Sequence, residues 1–407
     1  MEGLIPHLFR TEYRKIVSVL GKKFGFDQIE IAEDIASETF LTAAETWGLR
    51  GLPANPTAWL YNVAKNKAIN YLEHHQVFDG KVAPALKREK DVAPEIDIDL
   101  SPQNINDSQL QMMFTICHPS IPIEAQIGLS LRILCGFGID EIADAFLVDK
   151  DTINKRLFRA KQKLREENVK IVLPAAIELD ERLQAVLRTI YLLFNEGYYS
   201  VSRNKTLRKD ACFEAIRLCF MLVENQSTNK PDVNALLSLM CFHASRFDAR
   251  LNEKGEQVLY EEQDTTRWDT DLIRKGEYFL NCSASGTRLS KYHVEAAIAY
   301  WHTNREDTPE KWESILNLYN QLLIIEYSPV AALNRTYAVS KVRGKQAAID
   351  EAKKLELSDN HFYLTLLGEL YSNLDNNEAI KYFEKALDLA KTDSDKNTIR
   401  KKLAKLK

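Results

Sequence analysis

Apolar positions recur three and four residues apart along almost the whole chain, the spacing of a helix that buries one face. Runs of alternating or β-branched residues are sparse, so the pattern predicts an all-α protein. Phe9, Tyr13, Ile16, Val17 and Leu20 define a first amphipathic helix. A second spans Ile29–Trp47, with Ile31, Ile35, Phe40, Ala43, Ala44 and Trp47 as its apolar set and Glu30, Glu33, Asp34, Glu38 and Glu45 as its exposed, acidic set. After a Gly/Pro loop at Gly48–Pro56 comes a third helix, Thr57–His74, burying Trp59, Leu60, Val63 and Tyr71 and presenting Lys65, Asn66, Lys67 and Asn70. His75–Asp107, with Pro84, Pro94 and Pro102, carries little helical periodicity and reads as a tether.

The sharpest local pattern is Ile139–Ala160, two short helices about a tight turn. Ile139, Ile142, Ala143 and Phe146 share a face of the first, and Ile153, Leu157, Ala160 and Leu164 form the stripe of the second. Asp149 or Asp151 can cap that second helix by accepting its unpaired amide hydrogens. Between Lys150 and Glu167 there are seven basic and three acidic residues, a local charge of +4 in a chain whose net charge is −4. This is the layout of a helix-turn-helix, whose second helix enters a DNA major groove. Lys150, Asp151, Asn154 and Lys155 would reach base edges, and Arg156, Arg159 and Lys163 phosphates. The same pattern fits a plain surface helix with a solvated basic face. Leu147 stands in the turn where such motifs often hold Gly, and a side chain at positive φ there would cost about 1–2 kcal/mol.

The 407 residues allow two to four domains. No apolar run is long enough to span a bilayer, and the first residues lack the pattern of a signal peptide. The six cysteines show no paired metal spacing; Cys212 and Cys219, seven apart on an apolar face, read as core thiols, and the cytoplasm is the expected compartment. No cofactor is implied.

At Asp34, Ile35, Glu38, Thr39 and Phe40, and again across Ala58–Leu72, the chain resembles region two of the extracytoplasmic-function sigma factors of bacterial RNA polymerase. The helix pair that follows resembles their region four, and the likeness covers roughly residues 5–168. It implies core RNA polymerase and promoter DNA as partners, with polymerase contacts to the coiled coil of the largest subunit and to the flap, and no membrane. Asp34 and Glu38 would face the coiled coil. Asn66 and Asn70 would hold flipped-out nontemplate bases of the minus-ten element, where an amide offers both donor and acceptor. Lys65 and Lys67 would hold phosphates. Helix Ile153–Arg165 would read the minus-thirty-five element. Glu95, Asp97, Asp99 and Asp107 would make the linker an acidic thread through the polymerase channel.

The expected division is region two at 1–76, linker at 77–107, region four at 108–168, a helical domain of unknown role at 171–284 and tetratricopeptide-like repeats at 285–407. The fourth part resembles a domain that follows region four in one branch of the same sigma factors, with signatures at Asn195, Glu196, Gly197 and Tyr198 and at Arg246, Arg250, Gln263, Asp264, Arg267, Trp268 and Asp269. Its Arg/Asp/Trp clusters fit buried ion pairs or an active site. In the last part Tyr300, Tyr337 and Tyr371 lie 37 and 34 apart, and Gly368, Tyr371, Ala379, Phe383 and Ala386 follow the small-large order of a tetratricopeptide repeat. Stacked helix pairs of this kind offer a concave surface to a peptide or protein. The final Lys391–Lys407 carries a charge of +5. The reading is a promoter-specific sigma factor, not an enzyme, gated in cis by its C-terminal half. The alternative is a helix-turn-helix regulator with a repeat-type sensor. An enzyme finds no support, because the chain has no Gly-rich phosphate loop and no nucleophile motif.

Overall fold

In a computed structural model the described residues are 3–82, 97–146, 148–199, 205–250, 258 and 260–406. They form eighteen α-helices with short 3-10 turns and no strand, an all-α architecture. No helix among them is long and apolar enough to cross a membrane. Leu147 and residues 83–96 of the linker, Glu95 among them, lie outside the described residues. The chain divides into two units, Met1–Thr228 and Asn229–Lys407.

The first unit is built around α1 (Leu4–Phe24). Its Tyr13, Ile16, Val17, Val19 and Leu20 are buried, and so are the polar Glu12, Arg14 and Ser18. A helix sealed on every side must be enclosed by more than one partner. Helices α2 (Ile29–Arg50) and α3 (Pro56–Val82) cover one side, and α4 (Pro102–Ile116) covers another. Gly21 makes the closest approach possible: a Cβ there would stand 2.8 Å from Ile29 Cδ1 on α2's side and 2.9 Å from Met112 Cε on α4's. Asn55 caps α3, its Oδ1 accepting the Ala58 amide at 3.0 Å, and Pro56 fits the first helical turn, where no amide hydrogen is needed. Ser101 and Pro102 begin α4 in the same way.

Helices α5 (Ile123–Leu129), α6 (Ile139–Phe146) and α7 (Lys150–Glu166) follow, α5 running into a π-helical turn at Ser130–Leu134. Helices α8 (Ala176–Tyr199) and α9 (Lys205–Glu224) complete the unit. Two expectations change. The segment read as a tether is helical at both ends, because α3 continues to Val82 and α4 begins at Pro102. The α1–α3 and α4–α7 modules are packed against one another within a single compact unit. Helices α8 and α9 pack within the same unit.

The second unit holds α10 (Pro231–Ala244), α11 (Thr270–Ser283), α12 (Lys291–Trp301), α13 (Pro309–Ile325), α14 (Pro329–Arg343), α15 (Lys345–Lys353), α16 (His361–Tyr371), α17 (Asn376–Leu389) and α18 (Asp393–Ala404). Successive helices pack as neighbours. Gly368 on α16 faces the Phe383 ring of α17, where a Cβ would come within 2.7 Å, and Gly276 on α11 meets Phe242 of α10 the same way at 2.6 Å. Ala379, Phe383 and Ala386 are buried in this core with Leu367 and Leu370.

Candidate nucleic-acid and polymerase interface

Helix α3 is anchored through Leu60, Ala64 and Ala68, all buried. Trp59, half-buried, meets Trp47 of α2 edge to face with ring centroids 5.3 Å apart, so its indole packs on the helical core. With that side fixed, Asn66 and Asn70 fall on the exposed side. Asn62 is exposed one turn earlier, and the three amides make a stripe at four-residue spacing. The sequence reading missed Asn62, although the helical period was the signal that would have found it. The two lysines flank the stripe and are engaged in ion pairs. Lys65 Nζ lies 3.0 Å from Asp97, whose carboxyl is held below its usual range by that lysine, and Lys67 Nζ lies 3.0 Å from Glu38. Asp34 and Glu38 are both exposed on α2. The residues expected to meet polymerase and those expected to meet DNA therefore adjoin.

Glu33 departs from expectation. It is buried, not part of the exposed acidic set, and Ala44, assigned to the apolar face, is exposed. Glu33 accepts a hydrogen bond from Lys161 of α7 and lies 3.4 Å from Arg132 Nε. Glu30 is paired with Arg165 and lies 3.8 Å from Lys161 Nζ. The acidic helix and the C-terminal half of α7 are thus joined by charge. On α1, Arg10 pairs with Glu141 of α6 and Asp210 of α9, and Arg14 with Glu214 of α9. Arg132 also reaches α1, its guanidinium 5.4 Å from the Tyr13 ring centroid. Burial, then the nearby Glu33, raises the Tyr13 phenol well above its ordinary range, which keeps it neutral.

Helix α7 begins at Asp149, whose carboxylate accepts the Thr152 amide at 2.7 Å and the Thr152 hydroxyl at 3.0 Å. The amide bond is the main cause of its lowered pKa. Of the two possible caps, Asp149 is the one used. Ile153, Leu157, Ala160 and Leu164 are buried as a stripe. Lys150, Asp151, Asn154, Lys155, Arg159 and Lys163 are exposed. Lys150 is paired with Asp140 of α6, and Lys163 with Glu167 at 2.7 Å. Arg156 is half-buried and stacks over the Phe146 ring at 5.3 Å, which ties α7 back to α6. Phe158, 61% exposed, stands among these cations.

Residues 8–77 match the Sigma-70 region 2 family, and residues 182–284 match a family of unknown function, DUF6596. The chain is 33% identical over 388 residues to an uncharacterized protein of Rhizobium meliloti (strain 1021), covering 93% of this chain and 90% of that one. No solved structure matches. The chain belongs to one family with that protein along nearly its whole length, and its residues 8–77, within α1–α3, are a sigma-70 region 2 domain, which supports a role as an RNA polymerase sigma factor in transcription initiation and implies binding to core polymerase and promoter DNA.

Proposed function

We propose that the chain is a sigma factor of the extracytoplasmic-function type, with α6–α7 as its region-four helix-turn-helix and the remainder of the chain regulating it in cis. The observation that carries the reading is the exposed amide stripe Asn62–Asn66–Asn70, beside Lys65 and Lys67 and next to the acidic Asp34 and Glu38. Extruding a base costs a few kcal/mol of stacking, and amides on a rigid helix can return that through base-edge hydrogen bonds while the lysines hold phosphates. On α7 the exposed Lys150, Asp151, Asn154 and Lys155 sit in the first turns, the part of a recognition helix that meets base edges. The helix pairs α12/α13, α14/α15 and α16/α17 are read as tetratricopeptide-like, on the support of the Gly368–Phe383 contact. Their surface would take a peptide or a protein partner.

The first unit as folded is a closed form of this factor. Lys67 and Lys161 both attach to α2, at Glu38 and Glu33, five residues or about 7.5 Å apart along the helix. Promoter elements centred near minus ten and minus thirty-five are roughly 25 base pairs apart, about 85 Å at 3.4 Å each. One compact unit cannot place α3 on the first element and α7 on the second, so the α2–α7 ion pairs must break on promoter engagement. Run-off transcription by core polymerase on a promoter library tests the assignment. The full chain should select a subset of promoters, and Asn66→Ala with Asn70→Ala should lower open-complex formation while leaving polymerase binding intact. Wild-type levels of open complex from the double variant would refute the role of the stripe.

A further inference from the structure

In the second unit several polar groups converge on the ring of Tyr260. The Arg246 guanidinium carbon is 5.6 Å from the ring centroid, Lys311 Nζ is also at 5.6 Å, the Trp268 ring is stacked at 6.3 Å and the His302 ring stands edge-on at 5.2 Å. Gln263 is tied to the same turn by its backbone N–H, which donates to the Tyr260 carbonyl at 3.3 Å, and its side-chain Nε2 donates to the Val258 carbonyl at 3.4 Å. The backbone bond from Asp269 to the Ser245 carbonyl, 2.8 Å, draws these stretches together. Arg246 is 9% exposed, Gln263 and Trp268 8%, and Lys311 1%.

Such burial normally demands paired charges and satisfied polar atoms. Here Arg246 Nε, Trp268 Nε1, Gln263 Oε1 and His302 Nδ1 are sealed from solvent and have no hydrogen-bond partner. Lys311 uses donors on the Asn304 carbonyl at 2.8 Å and the Tyr260 hydroxyl at 3.4 Å, and no carboxylate lies within ion-pair distance of Arg246 or Lys311 among the described residues. Three of the described acids in this region have partners of their own, although Asp307 also acts on Lys311 through its charge. Asp264 and Asp269 cap the helical turns that follow them, and Asp307 accepts from the Trp312 indole and pairs with Lys341 at 3.5 Å. Burial, with Arg246 and Lys311 next, depresses the His302 pKa to about 3. The ring is therefore neutral and adds no compensating charge of either sign.

We infer that Arg246, Lys311, Trp268 and Gln263 form a binding site for a small oxyanion that also carries a hydrogen-bond donor, such as a hydroxycarboxylate or a monohydrogen phosphate. The two cations supply the charge, the Arg246 and Trp268 N–H groups meet the anionic oxygens, and Gln263 Oε1 accepts from the ligand's hydroxyl. A macromolecule is excluded as the occupant, because side chains 91% or more buried are reached only by a molecule that enters the interior. The inference does not rest on the sigma reading, and it is tested without polymerase.

Thermal unfolding of the full chain is measured with inorganic phosphate, malate and sulfate, and the purified protein is denatured and its released small molecules are weighed by mass spectrometry. Phosphate or malate at a hundredfold its Kd should raise the Tm of the second unit by about 5–10 °C, and sulfate, which offers no donor, by less. Arg246→Met and Lys311→Met should abolish the shift and leave the ligand-free Tm equal to or above that of the wild type, since each removes an uncompensated buried charge. The site is overturned if no probe moves the Tm at millimolar concentration and denaturation releases no small anion. It is equally overturned if both variants lower the ligand-free Tm, which would make the two cations structural.

Discussion

Breaking the Glu33–Lys161 pair should open the first unit without unfolding it. Their side chains are 10% and 11% exposed, which places the pair among buried ion pairs, where removing one partner commonly costs about 3–5 kcal/mol. Glu33 keeps Arg132 at 3.4 Å, so the cost is smaller, about 2 kcal/mol. If that cost falls on the closed form alone, the closed–open equilibrium moves about 30-fold. If core polymerase engages the open form alone, its apparent Kd falls as the open fraction rises. Glu33→Gln and Lys161→Met should each tighten polymerase binding by up to this factor, measured by fluorescence anisotropy of a labelled chain. The double variant removes both charges of the pair, leaving Arg132 to the Phe137 carbonyl and the Tyr13 hydroxyl, and should return part of the way toward wild type, with a coupling of about 1–3 kcal/mol. Additive effects of the two substitutions, or unchanged polymerase affinity with a lowered Tm, would refute the reasoning, because the pair would then support the fold and not the closure.

Other consequences can be measured directly. Gly368→Ala would drive a methyl into the Phe383 ring at 2.7 Å and should destabilise the second unit by about 1–3 kcal/mol in urea unfolding, with the first unit unaffected. His302 and His243 are held neutral, chiefly by burial, with pKa values of about 3 and well below 6.5. A histidine whose folded pKa is depressed contributes fully above its unfolded value near 6.5 and loses that contribution as pH falls toward the folded value. The second unit should thus lose up to about 1.4 kcal/mol per pH unit for each ring below pH 6.5, and His302→Asn should flatten the slope by one proton. Burial raises the Cys117 thiol to about 11 and those of Cys135 and Cys241 to about 12, so thiol-reactive dye should label Cys282, the half-buried one, well before these three in the native chain.

The helices and their faces were legible because each buries a stripe against its neighbours in sequence. The stripe on α7, the Asp149 cap and the exposed Asn66 and Asn70 all follow from local spacing. What spacing could not show was a second covering of a face already counted as solvent. Glu33 and Lys161 are 128 residues apart, and Arg14 and Glu214 are 200 apart. Acidic α2 was assigned to polymerase and basic α7 to DNA, yet opposite charges within one chain can also satisfy each other, and here they do. Burial of Glu12, Arg14 and Ser18 on α1 had no local signal, since it depends on α3, α9 and α4 arriving from elsewhere. The Arg/Asp/Trp signatures were legible as a cluster, but spacing did not show which atoms each side chain would meet. Asp264 and Asp269 cap helical turns, and among the described residues no carboxylate is paired with Arg246, whose Nε has no hydrogen-bond partner.

The most direct measurement is the distance between exposed labels at Leu49 on α2 and Phe158 on α7, read by energy transfer in the free chain and then with core polymerase on a selected promoter. The closed unit predicts less than about 40 Å for the free chain, from the length of α2. On the promoter the distance should exceed about 60 Å, because the two elements lie roughly 85 Å apart along the duplex. A short distance that persists in a transcribing complex would contradict the account.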